Sequence, residues 1–219
     1  MKTRSPLSTR GWTWQSCSEV IADRLNTGLR RIPVWAVYLL GALPAPVLFY
    51  RGATGGLGVE PIKALEHELG ALALQLLIAG LAVTPLRRRL GVNLMKFRRA
   101  IGLLSFSYVC LHLLTWLLLD VQIPAQIWGD IVKRPYITVG MGALLLLLPL
   151  ALTSNTASVR RLGPAWRRLH RLVYPAVLLG AVHFVMLRKG LQIEPLIYLG
   201  LILVLLALRV PARRLTRPA

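Results

Sequence analysis

Six apolar runs, at about residues 34–50, 69–86, 101–119, 136–153, 172–187 and 195–210, follow one another with only short polar gaps between them. Runs of this length and with so few charges are what hydrocarbon requires of a helix, because every backbone N–H and C=O must be satisfied inside the segment. The 219-residue chain is 55% hydrophobic with a mean hydropathy of +0.59, which excludes an ordinary water-soluble domain. The expected fold is therefore an all-α integral membrane protein, a six-helix transmembrane bundle over residues 34–210. Trp, Tyr and Arg at the ends of the shorter runs extend them to the interface. Pro44, Pro46, Pro149 and Pro175 lie inside runs and predict kinks rather than breaks, since neighbouring helices re-satisfy the freed carbonyls.

The charge distribution sets the expected orientation. The formal net charge is +19, from 27 Lys and Arg against 8 Asp and Glu. Twenty-one of the basic residues fall in the segment 1–33, in the second and fourth connections (Arg87, Arg88, Arg89, Lys96, Arg98, Arg99; Arg160, Arg161, Arg167, Arg168, Arg171) and after residue 208. Only Arg51, Lys63, Lys133, Arg134, Arg188 and Lys189 lie on the other side. The positive-inside rule then places both termini in the cytoplasm. Residues 1–33 read as a basic cytoplasmic tail with a short amphipathic helix around Ser18 to Leu29, and residues 211–219 as a second basic tail. The long polar stretch before the first run argues for an uncleaved first helix rather than a signal peptide. Basic residues confined to gaps between spans leave no room for a folded nucleic-acid-binding domain.

Two cysteines, Cys17 and Cys110, are too few and too far apart for a disulfide framework or a thiolate metal site, and neither lies in a C-x-x-C-H sequence. Cys110 is expected to be a small buried packing residue. The cluster Gly52, Gly55, Gly56 and Gly58 has no strand before it and reads as a flexible outer connection, not a nucleotide-binding turn.

There are four histidines, at 67, 112, 170 and 183, and a polar ring inside hydrocarbon requires a partner. His112 and His183 each lie eleven residues into a run that starts on the inner side, so each rises about 17 Å along its helix. Two imidazoles at one depth on two parallel helices can ligate one metal between them. With no Cys, Asp or Glu at that depth, a b-type haem held by two histidines is the natural occupant. His170 belongs at the inner interface among arginines, and an ideal helix would leave it about 140° around from His183; a kink at Pro175 would alter that angle. His67 is expected to be an interfacial residue. A haem-free transporter or membrane anchor is the competing reading of the same spans.

Several longer segments are more specific: AVTPLRR at 82–88, RRAIGLLSFSYVCLH at 98–112, KRPYITVG at 133–140 and LALTSNTASVRRLGPAWRRLHRLVY at 150–174 followed by His183. Through them the chain resembles the MsrQ (YedZ) family over about residues 34–210. These are haem-containing membrane subunits of periplasmic methionine sulfoxide reductase systems, within the ferric reductase-like transmembrane superfamily that includes the NADPH oxidases. The resemblance implies an electron conduit in the bacterial inner membrane in which His112, His170 and His183 are haem ligands. It also implies that electrons pass outward to MsrP, a periplasmic molybdenum-cofactor reductase. The implied donor is the quinone pool, with a cytoplasmic flavin reductase as another source, and association with FMN is implied too.

Unlike the two-haem NADPH oxidases, this chain has Arg98 and Arg99 about one span inward of His112, so His170 lacks an opposite histidine. Either only the outer haem is firmly held, or a second haem uses His170 with an unusual opposite ligand. Arg98, Arg99, Arg167 and Arg168 are candidates to pair with haem propionates or a flavin phosphate, against simple anchoring at the interface. The segments 51–68 and 120–135, the latter with Asp120, Asp130, Lys133, Arg134 and Tyr136, are the expected docking surface. A ferric reductase with a different acceptor is the alternative within the same chemistry.

Overall fold

A computed structural model describes residues 14–188 and 192–209, and among these it contains helices and no strand. The outer parts of both expected tails, with Lys2, Arg4, Arg10 and residues 211–219, lie outside the described residues. Helix α1 (Trp14–Arg31) precedes α2 (Val34–Ala42) and α3 (Pro44–Ala53), which run as one 20-residue apolar span divided at Leu43. Next come α4 (Pro61–Leu90) and α5 (Arg98–Thr115), joined through a 3₁₀ turn at Met95–Phe97. A π-helical turn (Trp116–Val121) extends α5. The chain continues through α6 (Pro124–Lys133), α7 (Pro135–Leu152), α8 (Thr156–Leu162) and α9 (Pro164–Leu169), then a 3₁₀ turn (His170–Leu172), α10 (Val173–Leu187) and α11 (Ile193–Ala207).

Among the described residues, five helical segments are long and apolar enough to cross a membrane: 34–53, 61–90, 95–121, 135–152 and 164–187. The sixth expected span, α11, is apolar but only 15 residues long. Helix starts are set by proline more than by the onset of apolar residues. Five helices begin at Pro44, Pro61, Pro124, Pro135 and Pro164, where the missing N–H costs nothing and the fixed φ suits the first turn. This moves the start of α4 eight residues ahead of its apolar run. His67 and Glu66 are therefore helical, not part of a connection, and residues 124–133 of the second expected docking segment form a helix. Gly91, at φ 69°, ends α4 in the left-handed conformation that glycine adopts without strain. Gly55 and Gly58, at φ 80° and 87°, turn the chain between α3 and α4, as expected of a connection.

The bundle is built from two close pairs, α4 with α5 and α7 with α10, and α11 packs on α10 and α4. Within a membrane, lipid tails are as apolar as leucine, so helices associate through close packing rather than hydrophobic burial. The central contacts accordingly use small side chains: Ala100, Ala176, Val177 and Ala181 are fully buried. The last three adjoin Leu74, Leu77, Ile78 and Leu81 of α4 and Ile202 of α11. Hydrogen bonds tie the helices at fixed heights. Ser105 donates to the Ala73 carbonyl (2.8 Å), Tyr108 to the Gly41 carbonyl (2.8 Å) and Gln75 to the Tyr198 hydroxyl (2.8 Å). On the outside, Leu39, Leu40, Leu145 and Val204 are more than half exposed, which suits a surface solvated by lipid.

Candidate functional site

A cavity of about 250 Å³ lies between α4, α5, α7 and α10, and both His112 and His183 line it. His112 is carried by α5 and His183 by α10, and their ring centroids are 6.2 Å apart with the planes at 77°. Each ring is anchored to the backbone of a neighbouring helix. Nδ1 of His112 lies 2.9 Å from the Glu66 carbonyl on α4, and Nδ1 of His183 lies 2.7 Å from the Tyr136 carbonyl on α7. A carbonyl only accepts, so each Nδ1 carries the proton and each Nε2 keeps its lone pair. A second-sphere hydrogen bond of this kind fixes the tautomer and orientation of a metal-binding histidine.

The spacing suits shared ligation. Imidazoles on opposite sides of one metal have centroids about 6.2 Å apart, given about 2 Å per metal–nitrogen bond and about 1.1 Å from nitrogen to centroid. The observed 6.2 Å matches. Among the described residues no group of three or more His, Cys, Asp or Glu side chains could hold a metal ion. Two nitrogens alone underfill zinc or copper, whereas a haem macrocycle brings four nitrogens and asks the protein for two. The donor set therefore fits haem.

The rest of the wall is mainly apolar, with Leu74, Leu77, Val109, Leu144 and Leu147 facing the space. At one end it becomes charged, where Lys63, Glu66, His67, Asp120 and Arg134 converge. His67, expected as an interfacial residue, is half-buried and lines this mouth. Arg134 forms an ion pair with Asp130 (3.2 Å) and donates to the Tyr136 hydroxyl (3.3 Å). That hydrogen bond, with the Asp130 carboxylate beside it, raises the pKa of the guanidinium. Of the residues proposed for docking, Arg134, Tyr136 and Asp120 border the cavity. Beside them α6 exposes Trp128 and Val132.

His170 is not part of this cavity. It opens the 3₁₀ turn at the other end of α10, with its ring stacked on Trp166 at 3.8 Å and 26°. Its Nδ1 bonds the Trp166 carbonyl (3.1 Å), while Nε2 is buried with no hydrogen-bond partner. Trp166, whose role the sequence did not reveal, is itself fastened by a bond from its indole nitrogen to the Thr153 carbonyl (2.9 Å). Arg98, Arg99, Arg167 and Arg168 are exposed, as interfacial anchors would be. Cys110 is half-buried rather than buried and is unpaired among the described residues. Its helix position faces partly outward, where packing asks less of it.

Residues 68–181, just over half of the chain and including His112 and His170, match the family described as ferric reductase like transmembrane component. A relative from Rhizobium meliloti (strain 1021), named protein-methionine-sulfoxide reductase heme-binding subunit MsrQ, is 52% identical over 84% of this chain and 86% of its own length. The chain belongs to the MsrQ family. MsrQ proteins of Agrobacterium fabrum (50% identical, 80% of this chain and 82% of the relative) and Brucella anthropi (48%, 80% of each) agree. No solved structure gives a significant match. With five apolar helices of spanning length and a transmembrane family match, this MsrQ member is a multi-pass membrane protein.

Proposed function

We propose that this chain is the haem-bearing membrane subunit of a methionine sulfoxide reductase system. In this reading it carries single electrons across the bacterial inner membrane to a periplasmic molybdenum-cofactor enzyme of the MsrP type. The observation that supports it best is the pair His112 and His183, whose centroids stand 6.2 Å apart in one cavity with both Nδ1 atoms held by backbone carbonyls. The relatives' names supply the haem and the sulfoxide reductase partnership.

His112 and His183 would hold a b-type haem through their Nε2 atoms. Bound there, haem supplies a one-electron iron couple whose potential follows ligand identity, burial and nearby charge. The chain's own residues do the rest. The Glu66 and Tyr136 carbonyls keep the imidazoles in one tautomer, the leucine and valine wall excludes water, and the charged mouth faces the acceptor. In this reading α11 is a sixth span beside the five long helices, and the basic-residue count supports a cytoplasmic position for both termini.

His170, with a buried unpartnered Nε2, marks the inner end. It would serve there as ligand to a second haem or as contact for the donor, a quinol or a reduced flavin such as FMN. From there the electron would pass outward to a haem held by His112 and His183.

A reduced-minus-oxidised spectrum of purified protein tests the core of this reading, with a b-type α band as the expected result. His112→Ala and His183→Ala should each abolish it; a normal low-spin spectrum in both would refute the pairing. Haem and flavin quantification then counts haems and FMN per chain. Reoxidation by purified MsrP, compared with a ferric chelate, separates the sulfoxide reductase system from a ferric reductase.

A further inference from the structure

The two haem-facing histidines are held in the same way, although no internal repeat is visible in the sequence. In each case the accepting carbonyl is followed four residues later by a glycine: Glu66 by Gly70, and Tyr136 by Gly140. In an α-helix the carbonyl of residue i already accepts from the N–H of i+4. The imidazole N–H joining that bond must therefore lie over the backbone of residue i+4. At both places the ring does so. A Cβ at Gly70 would stand 3.1 Å from Nδ1 of His112 and 3.3 Å from Cε1; a Cβ at Gly140 would stand 2.8 Å and 3.1 Å from the same atoms of His183.

Other glycines of these helices face ordinary contacts. A Cβ at Gly80 would meet Ile101 at 3.8 Å, and one at Gly142 would meet Leu179 at 3.6 Å. Gly41 is approached closely, but by the flexible end of Leu104, which can turn aside. An imidazole fixed at one edge by a hydrogen bond and at the other by a ligand bond cannot.

We propose that Gly70 and Gly140 are positioning residues that let the His112 and His183 imidazoles seat against α4 and α7, on the Glu66 and Tyr136 carbonyls, at the separation one haem iron requires. This rests on the reading of His112 and His183 as a ligand pair. A side chain at either glycine pushes the ring off its carbonyl and into the cavity, shortening the gap between the two Nε2 atoms or rotating one ring. Gly140 has the tighter contact, so its substitution has the larger effect.

The test compares Gly70→Ala and Gly140→Ala with Gly80→Ala and Gly142→Ala, the same change on the same two helices away from the histidines. Purified variants are examined for haem content, the electron paramagnetic resonance of the ferric form, and midpoint potential. Gly140→Ala should lose the single low-spin signal, giving a mixture with high-spin iron and a shifted potential. Gly70→Ala should do so less, and the two controls should match the parent. Thermal unfolding of Gly140→Ala, His183→Ala and the double variant supplies a measure that does not need haem. The glycine substitution should destabilise the parent but not His183→Ala, where the ring is gone. If Gly140→Ala does not fold in the parent, folding restored by His183→Ala makes the same point.

Absence of coupling between the two substitutions overturns the contact. Coupling accompanied by an unchanged signal and potential overturns the positioning role. A parent protein whose haem survives both His112→Ala and His183→Ala refutes the ligand pair instead, a result separate from either.

Discussion

A side chain in a membrane helix is judged by where its polar atoms go. Tyr108 is 2% exposed and sends its hydroxyl to the Gly41 carbonyl at 2.8 Å, joining α5 to the first span. Tyr108→Phe keeps the ring and its packing and removes only that bond. The expected loss is about 0.5–1.5 kcal/mol, at the low end because bonds between membrane helices average about 0.6 kcal/mol. Equilibrium unfolding in mild detergent measures it, and an unchanged stability would show the bond to be idle. At this scale the histidines divide in what the sequence reveals. His112 and His183 could be matched by counting residues from the inner side, because helix rise is constant. Their carbonyl partners could not, since those depend on how α4 and α7 are rotated against α5 and α10. The two pentapeptides ending in glycine, EHELG and YITVG, are in retrospect the only trace.

Among the elements, the segment from Pro164 to Leu187 shows best how local chemistry redirects a site. As one ideal helix it would place His170 and His183 about 140° apart. Pro175 lacks the N–H that the Arg171 carbonyl would accept and crowds that carbonyl, and the chain tightens to a 3₁₀ turn over His170–Leu172 just before it. A 3₁₀ turn advances about 120° per residue against about 100° in an α-helix, so three residues add about 60°. The stacked Trp166–His170 unit is turned by that amount relative to α10. A kink at Pro175 is the expectation from sequence; the structure shows a tightened turn just before it, which periodicity does not reveal. Pro175→Ala should let the turn relax to α-helix, swinging His170 away and breaking the Trp166–Thr153 bond. The low-spin spectrum of the His112–His183 site should persist while reduction by a quinol analogue slows by about tenfold or more, as misplacement of a reacting group does. Reduction at the parent rate would show that electrons do not enter beside His170.

For the molecule as a whole, the apolar runs were legible because hydrocarbon leaves a helix no alternative, and orientation is expected from where the arginines lie. The span count turns on α11. Its 15 residues cover about 22 Å at about 1.5 Å per residue, short of a ~30 Å hydrocarbon core. Its C-terminal end is nonetheless fixed at the basic side of the bundle, where Arg209 donates to the Tyr174 hydroxyl (2.8 Å) and to the Leu81 carbonyl. A short helix held there would need local thinning of the bilayer and the reach of its flanking residues to cross, at a modest cost. Accessibility in whole cells tests this, in a Cys17→Ser, Cys110→Ser background. Val59, fully exposed between α3 and α4, and Arg161, exposed on α8, are separated by the spans that include α4, α5 and α7. A membrane-impermeant maleimide should therefore label Val59→Cys in intact cells and Arg161→Cys only after permeabilisation; the reverse pattern would invert the orientation. A protease-sensitive tag at the C-terminus then separates six spans from five. If α11 crosses, the tag is protected with Arg161→Cys; if it returns to the surface it entered from, the tag is cleaved in intact cells. The second outcome would move the basic C-terminus to the side that faces the acceptor and weaken, without reversing, the charge asymmetry on which the orientation was argued.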